Sequence, residues 1–567
     1  MKPLKIGILL DPAKALMDYE AHIFSNLLND SRYEVVCTIK DGRKATNKLP
    51  IFKKPKFEGT LLTPLLFWIL DLLESWLLKK KGALPFDKTE VSTKISALPC
   101  IEMFPQRKGL SDVFLREDCA KIEKFNLDVL LKHEFRIIQG EILNVPKYGI
   151  WSLQPGDNKV NRGNPGGFWE VYNNSSVTGV TLQLLGDEPD GQRAIAKGFF
   201  NTENFWYLNL ENALDCSVDL ILKHLRLLYE GQPLETSVSG TYSNKHFQFP
   251  TIFQACQYIA RQYSIIAFRE ISKLIYRKAK IDSSKDVWKL HIGKGNIENA
   301  VLWQTKTIEP PANEFWADPF LLEYKKKIYV FFENWEYSRE KGKISVGIIK
   351  ENQITDVSDC LDLDYHLSYP FVFEYKNQIF MIPETGQMKR LEIWRCDHFP
   401  NKWSLEKTCF EGEGRSLVDS TIAKDSNNQF WLFVNFGSRK FLEHGSNLCV
   451  FKIDSPMMNE IIPHKLNPVV SDCRSARNAG NIYIDNKGRL IRPSQASQNG
   501  VYGECLNLCH VKKLTIDTYE EEILETITPE FKNGLYSIHH VSQAGEIFVV
   551  DGGYKNRCGQ PRTPDPN

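Results

Sequence analysis

An internal repeat in the second half of the chain restricts the fold more than any other feature. Five segments align: WADPFLLEYKKKIYVFFE from Trp316, SYPFVFEYKNQIFMIPE from Ser368, VDSTIAKDSNNQFWLFVN from Val418, NAGNIYIDNKGRLIRPSQ from Asn478 and SIHHVSQAGEIFVVDG from Ser537. Each reads as a strand, a polar turn and an aromatic-rich strand. Matching Pro319, Pro370, Ser420, Gly480 and His539 gives steps of 51, 50, 60 and 59 residues, close to the roughly 40–50 residues of a four-stranded propeller blade. One such unit cannot bury its apolar face alone, so the units must stack. An all-β five-bladed propeller is therefore predicted over 286–567. The start of each inner strand then lines the central channel. Asp318, Tyr369, Asp419, Asn478 and His539 or His540 are expected to converge at one mouth, with Arg477 beside them and Glu384 reaching the same opening from the end of its strand.

Carboxyl groups gathered in this way suit glycosidic chemistry, which needs one protonated and one ionised acid. The expected roles are base for Asp318, acid for Glu384, and pKa adjustment or hydroxyl binding for Asp419. Trp316, Tyr369 and Trp335 are expected to stack sugars, with Arg477 and His540 as further ligand-binding groups. Aspartates at blade starts read equally well as turn-capping structure.

The whole-chain balance narrows the function classes. Lys+Arg number 71 against 70 Asp+Glu, a net charge of +1. The basic footprint of a nucleic-acid binder is missing, and 42% hydrophobic residues argue against disorder. Thirteen cysteines occur without a CxxC pair, which suggests neither a disulfide framework nor a zinc ribbon and fits a reducing, cytoplasmic setting. Cys505, Cys509 and His510 alternate with Leu506 and Leu508 as strand residues do, so no metal is predicted.

The first part has a different texture. Lys5 to Leu10, Tyr33 to Ile39 and Asp128 to Leu131 read as buried parallel strands, with Tyr19 to Leu28 helical. This predicts a Rossmann-like α/β domain over 1–210 carrying a helical insert at 43–98, then a helical linker at 211–285. Within the insert, Leu61 to Leu78 is apolar but interrupted by Asp71, Glu74 and Ser75, too polar to span a membrane. Leu62, Leu65, Leu66, Ile69, Leu73 and Trp76 recur at helical spacing, and Lys53, Lys54, Lys56 and Lys79 to Lys81 flank the run. Docking on its own domain or a partner subunit and peripheral contact with the inner membrane face (61–78) both fit.

Asn126 to Gly198 resembles the catalytic core of the formyltransferase family, which includes methionyl-tRNA and sugar N-formyltransferases. The likeness rests on VPKYG, a Pro-containing loop ending in Arg162-Gly163, Thr178-Gly-Val-Thr181 and Asp190-Gly191. It implies a 10-formyltetrahydrofolate donor and an Asn–His–Asp catalytic set. Here Ser152 stands at the Asn position, Gln154 at the His position and Asp190 at the Asp position, with Pro155 kept. Neither Ser152 nor Gln154 titrates near neutrality, and His133 is the nearest unmatched imidazole. The run Gly156-Asp157-Asn158, Asn161-Arg162-Gly163 and Pro165 to Glu170 resembles a divergent bacterial branch of this fold. It implies ligand-binding roles for Asp157, Asn158, Arg162, Gly163 and Glu170, although a structural Gly/Pro turn explains the composition equally.

The repeat half resembles arabinanase- and xylosidase-type glycosidases and, through ADPF, SYPF, IPE, DSTI and RPSQ, the N-terminal domain of plant glucosamine inositolphosphorylceramide transferase. Together the halves imply formyltransferase-related group transfer to an amino sugar or glycan in surface polysaccharide or glycolipid biosynthesis. The expected partners are a sugar nucleotide, glycan or glycolipid and no nucleic acid. The alternatives are a non-catalytic glycan-binding scaffold or glycosidase-like activity in the propeller.

Overall fold

The computed structural model describes residues 1–43, 62–79, 86–109, 111–157, 160, 162–163, 165–186, 193–238, 246–247, 249–264, 287–412, 414–441 and 443–554. The chain divides into two compact units: Met1–Ile266 with Arg439–Phe441, and Ala267–Ser438 with Leu442–Asn567.

The N-terminal unit is built on an eight-stranded sheet of β1 (Leu4–Leu9), β2 (Tyr33–Asp41), β3 (Cys100–Met103), β4 (Val129–Lys132), β5 (Ile150–Pro155), β6 (Val177–Leu184), β7 (Arg193–Asn201) and β8 (Ser237–Val238). Their order is β8-β7-β6-β5-β4-β1-β2-β3. The pairs β1–β2, β2–β3, β1–β4 and β4–β5 are parallel, and β6 to β8 continue antiparallel. Strands such as LKIGIL are apolar on both faces because both faces are covered. The helices are α1 (Asp18–Asn29), α2 (Leu62–Lys79), α3 (Thr89–Ser96), α4 (Arg116–Glu123), α5 (Phe168–Asn173) and α6 (Trp206–Tyr229). Phe24 and Leu27 of α1 pack with Ile221 and Leu225 of α6 against Ile6, Leu131 and Trp151. Leu9, Ile39, Leu130 and Ile150 pack in a second cluster with Ile122 of α4.

One expectation changes here. The stretch expected as the first half of a linker is α6, whose Val218, Ile221, Leu225 and Leu228 belong to the core of the N-terminal unit; that unit therefore runs to Ile266. In α2, Glu74, one of the polar interruptions of the apolar run, is nonetheless 1% exposed. It accepts hydrogen bonds from the Tyr258 hydroxyl at 2.6 Å and the Tyr207 backbone N–H at 2.8 Å. The docked face of α2 is thus the one carrying Phe67, Leu70 and Glu74. Among the described residues no helix is long and apolar enough to cross a membrane.

The C-terminal unit contains five consecutive antiparallel sheets, one for each repeat. The first blade is Glu314–Tyr324, Lys327–Glu336, Lys341–Lys350 and Gln353–Leu361, and the second runs from Ser368–Tyr375 to Lys402–Cys409. The third and fourth begin at Leu417–Lys424 and Arg477–Asn478. The fifth is closed by chain ends: Val541–Ala544 and Ile547–Tyr554 are joined by Val287–Lys294 and Lys306–Ile308. This closure removes the open sheet edge that an incomplete last blade would leave. The polar turns of the repeat are tight hairpins, with positive φ at Lys325 and Lys326 and again at Lys376 and Asn377, the backbone that two-residue hairpin loops require.

Candidate functional site at the propeller mouth

Each of the first three blades carries a bulge at the same place in its inner strand, between Ala317 and Phe320, Ser368 and Phe371, and Val418 and Thr421. Asp318, Tyr369 and Asp419 occupy it with φ of 50°, 43° and 50°. The left-handed region costs an L-residue about 1–2 kcal/mol and is rare for a bulky side chain such as Tyr. The bulge re-aims three side chains, and hydrogen bonds between blades hold them. The Asp318 N–H donates to Asp551 Oδ2 at 3.0 Å, the Tyr369 N–H to Asp318 Oδ2 at 3.2 Å and the Asn478 N–H to Asn435 Oδ1 at 3.0 Å.

Two charge clusters result. In the first, His539 lies between carboxylates, Nε2 being 3.2 Å from Asp318 Oδ1 and Nδ1 2.9 Å from Asp551 Oδ2. Burial alone would lower its pKa, but Asp551 and Asp318 outweigh burial and raise it to about 10. Burial opposes ionisation of Asp318 as well, yet His539 brings that carboxyl down to about 2. Its neighbour His540 is fully buried, edge-on to Phe320 and Tyr369, with neither ring nitrogen hydrogen-bonded among the described residues. Burial lowers its pKa to about 4.

In the second cluster, Arg477 Nε donates to Asp419 Oδ2 at 2.5 Å and its guanidinium lies 4.8 Å from the Tyr502 ring centroid. Gln495 Nε2 donates to the same carboxylate at 3.4 Å. Glu384 is hydrogen-bonded to Asp419. Burial and the adjacent Asp419 charge push Glu384 well above the carboxylate range. Burial raises Asp419 as well, against the opposing pull of Arg477, so the proton the pair holds sits on Glu384, the more strongly raised acid.

Asp318, His539 and His540 thus gather in one cluster and Asp419, Glu384, Arg477 and Asn478 in the other, whereas two aromatics have other roles. Trp316 packs in the core with Leu290, Val330 and Phe332, and its indole N–H donates to Glu314 at 3.2 Å. Tyr369 is buried; its hydroxyl accepts the Gly480 N–H at 2.9 Å and meets Thr421 Oγ1 at 2.9 Å. Neither can stack a sugar. Trp335 is partly exposed and stacks on Phe315 with an interplanar angle of 3°.

Asp551, Asn435 and Gln495 were not among the expected site residues, although the repeat marks them. Glu333, Glu384, Asn435 and Gln495 pair with Ala317, Ser368, Val418 and Arg477. A polar residue closing an otherwise apolar second strand is the missed signal. Asp318, His539 and Asp551 also have ligand-type atoms within 4.8 Å of one another, close enough for a metal. Both imidazole nitrogens, however, already face carboxylates.

In the N-terminal unit the residues expected at a transfer site divide between the two faces of the sheet. Trp151 belongs to the core under α1 and α6 with Leu153 packed against it, so by strand alternation Ser152 and Gln154 lie on the other face. There Ser152 pairs in register with Lys132 and Gln183, and Gln154 with Thr181. His133 instead meets α1: it is 3.3 Å from Glu20 Oε1 and edge-on to Phe24. In register, Lys132 is the titratable neighbour of Ser152, and burial lowers its pKa. A cavity of about 80 Å³ lies at these strand ends, lined by Tyr19, Lys132, His133, Ser152 and Gln154 among others. The chain leaves β3 and returns to β4 on the opposite side of β1, and crevices at such reversals are where open α/β sheets bind ligands. Asp157 is turned to Lys197 Nζ at 2.5 Å, and Glu170 is buried on α5. Arg162–Gly163 forms a short strand beside His246–Phe247. Asn158 and Asp190 lie outside the described residues.

Comparison with known proteins bears on the propeller. Residues 279–540 match the family model "Glucosamine inositolphosphorylceramide transferase 1, N-terminal". A curated relative of that name from Oryza sativa subsp. japonica is 33% identical over 256 residues, covering 43% of this chain and 33% of the relative. The Arabidopsis thaliana protein is 31% identical over 289 residues, covering 47% and 36%. Among solved structures, a GH43 β-xylosidase/α-arabinofuranosidase from a compost microbial metagenome aligns with 46% of this chain and 97% of its own, at 13% identity and a TM-score of 0.30. The repeat half is thus similar in sequence to the N-terminal part of the plant transferases, and the chain spans about a third of the length of the curated relatives it matches.

Proposed function

We propose that this protein acts in glycolipid or glycan assembly, with the propeller mouth receiving a saccharide headgroup and Glu384 serving as its proton donor. The observation that carries this reading is the Glu384–Asp419 pair, in which burial and the adjacent carboxyl raise Glu384 well above the carboxylate range beside an Asp419 bonded to Arg477. A protonated carboxyl at a channel mouth can donate to a glycosidic or acceptor oxygen, while Arg477 and Asp419 offer a donor and an acceptor to sugar hydroxyls. Asp318 serves here as a charge anchor. Its oxygens face His539 and the Tyr369 N–H, and a carboxylate with a pKa of about 2 is a feeble base. The names of the relatives point to glucosamine- and inositol-phosphate-containing headgroups.

The test is calorimetry of the full chain with glucosamine and with inositol phosphate, followed by turnover of any saccharide that binds. Saturable binding weakened by Arg477→Met supports the mouth as the site. Glu384→Gln should retain binding and lose turnover. No binding of either probe sinks the reading.

A second reading, small-group transfer to an amine in the N-terminal unit, is favoured by the register pair Lys132–Ser152 at the strand ends. Lys132, whose pKa burial lowers, is the titratable group that Ser152 and Gln154 are not. The cavity of about 80 Å³ suits a formyl- or carboxylate-sized group; drug-sized ligands occupy roughly 300–1,000 Å³. The cavity the described residues form is therefore smaller than a folate. Saturable calorimetric binding of 5-formyltetrahydrofolate, lost in Ser152→Trp, would restore the folate donor; its absence would direct the search to a smaller acyl donor.

A further inference from the structure

Helix α2 has two apolar faces, one buried and one carrying exposed side chains. Phe67 and Leu70 are buried, and Glu74 is fixed between Tyr258 and Tyr207. On the other side Ile69, Leu72, Leu73 and Trp76 are 40, 47, 47 and 55% exposed. Their spacing of i, i+3, i+4 and i+7 places them within an arc of about 100° at 3.6 residues per turn. Two further aromatics of this unit are exposed, beside the docked face of α2. Phe249 is exposed and stands edge-on to Phe67 at 6.0 Å. Helix 252–264, tied to α2 through Tyr258, carries Phe253 at 76% exposure. Four large apolar side chains on one exposed helix arc mark an interaction surface rather than ordinary surface scatter.

Charge identifies the occupant. The four residues of the stripe are uncharged, and the helix's most buried carboxylate, Glu74, points inward. In the sequence Lys53, Lys54 and Lys56 precede the helix and Lys79, Lys80 and Lys81 follow or end it, against Glu58, Asp71 and Glu74 in the same stretch. An apolar stripe with a Trp, bracketed by lysines, matches the boundary of an anionic bilayer, where apolar side chains enter the acyl region and ammonium groups meet the headgroups. We propose that α2 attaches this protein peripherally to an anionic membrane surface through Ile69, Leu72, Leu73 and Trp76. This rests on α2 alone and is independent of the chemistry assigned to either site.

The experiment is co-sedimentation of the full chain with vesicles of phosphatidylcholine alone and of equimolar phosphatidylcholine and phosphatidylserine. The chain is expected to sediment with the anionic vesicles, less so as salt rises. Leu72→Glu with Leu73→Glu should weaken binding by about tenfold or more, as loss of two inserted leucines requires. Both positions face solvent, and an unchanged circular dichroism spectrum verifies folding. A separate Lys79→Glu, Lys80→Glu, Lys81→Glu variant tests the charge contribution without touching the stripe, and should also weaken binding. No sedimentation with anionic vesicles, or equal sedimentation of wild type and the Leu72/Leu73 variant, overturns the proposal. A wild-type dimer that the same variant converts to monomers, without vesicle binding, would instead assign the stripe to a second copy.

Discussion

The propeller mouth and the crevice of the N-terminal unit both lie where strands end, yet they are assembled in different ways. In the mouth every blade delivers residues from the same two repeat positions, and neighbouring blades bond them to one another: Asp318 to Asp551, Tyr369 to Asp318, Asn478 to Asn435. In the crevice the register pair Lys132–Ser152 comes from two adjacent parallel strands, and strand alternation separates it from the His133–Glu20 contact beneath α1. Repetition makes a ring of interlocked charges; an open sheet makes a local pair whose neighbours depend on which face they occupy. The mouth should therefore lose most when one charge is removed, and the crevice least.

Arg477→Met should produce the largest effect. It leaves Asp419 buried beside Glu384 without its cation, and removing one partner of a buried pair costs about 3–5 kcal/mol. Urea unfolding monitored on the C-terminal unit measures this; a loss below about 1 kcal/mol would show that the ring does not interlock.

Acidification should come next. Burial lowers His291 and His540 to about 4 and His444 to about 3. Their folded pKa lies below the ordinary 6.5, so the unfolded chain binds more protons between these values and stability falls as pH drops from 6.5 toward 4. His539 has the opposite sign. Raised to about 10, it contributes stability that is fully present below 6.5 and lost as pH rises through 10. A urea midpoint that peaks between these limbs is expected, and His540→Phe should flatten the acid limb. A profile unchanged by His540→Phe would sever this histidine from the effect.

Tyr369→Phe should cost about 1–3 kcal/mol, since it strips the acceptor from the buried Gly480 N–H. Thermal unfolding provides the comparison with wild type, and a Thr421→Val control removes the second contact of that hydroxyl together with the Thr421 contact to the Gly480 carbonyl at 3.5 Å, while keeping the Gly480 N–H bond.

The smallest change is expected in the N-terminal unit. Glu20→Gln keeps an acceptor for the Met17 N–H but removes the charge facing His133, a loss of about 1 kcal/mol. The C-terminal transition should stay where it is. A shift there of similar size would blur the contrast between the two regions.

Much of the propeller was legible because its signal is repeated. The spacing of Pro319, Pro370, Ser420, Gly480 and His539 located the inner strands, and their shared register explains why Asp318, Asp419 and Asn478 meet. Of the second ring only Glu384 was read from the letters; Asn435, Gln495 and Asp551 were concealed because they lie in apolar strands and differ from blade to blade. Trp316 and Tyr369 were misplaced for another reason. An aromatic at a blade start can face the channel, fill its axis or pack between blades, and composition does not distinguish these positions. In α2 the apolar pattern revealed a helix but not which of two apolar faces docks, because Tyr207 and Tyr258, which make Glu74 an inward residue, are far away in sequence.

By itself the sequence determined the element types, the five-fold repeat and the gathering of acids at one mouth, since periodicity and register follow from local chain geometry. Tertiary structure decided the protonation of those acids, the division of Ser152 and His133 between opposite faces of the sheet, and the assignment of α6 to a core instead of a linker. Those outcomes depend on burial and on charges brought close from distant positions, and neither is encoded in any short stretch of residues.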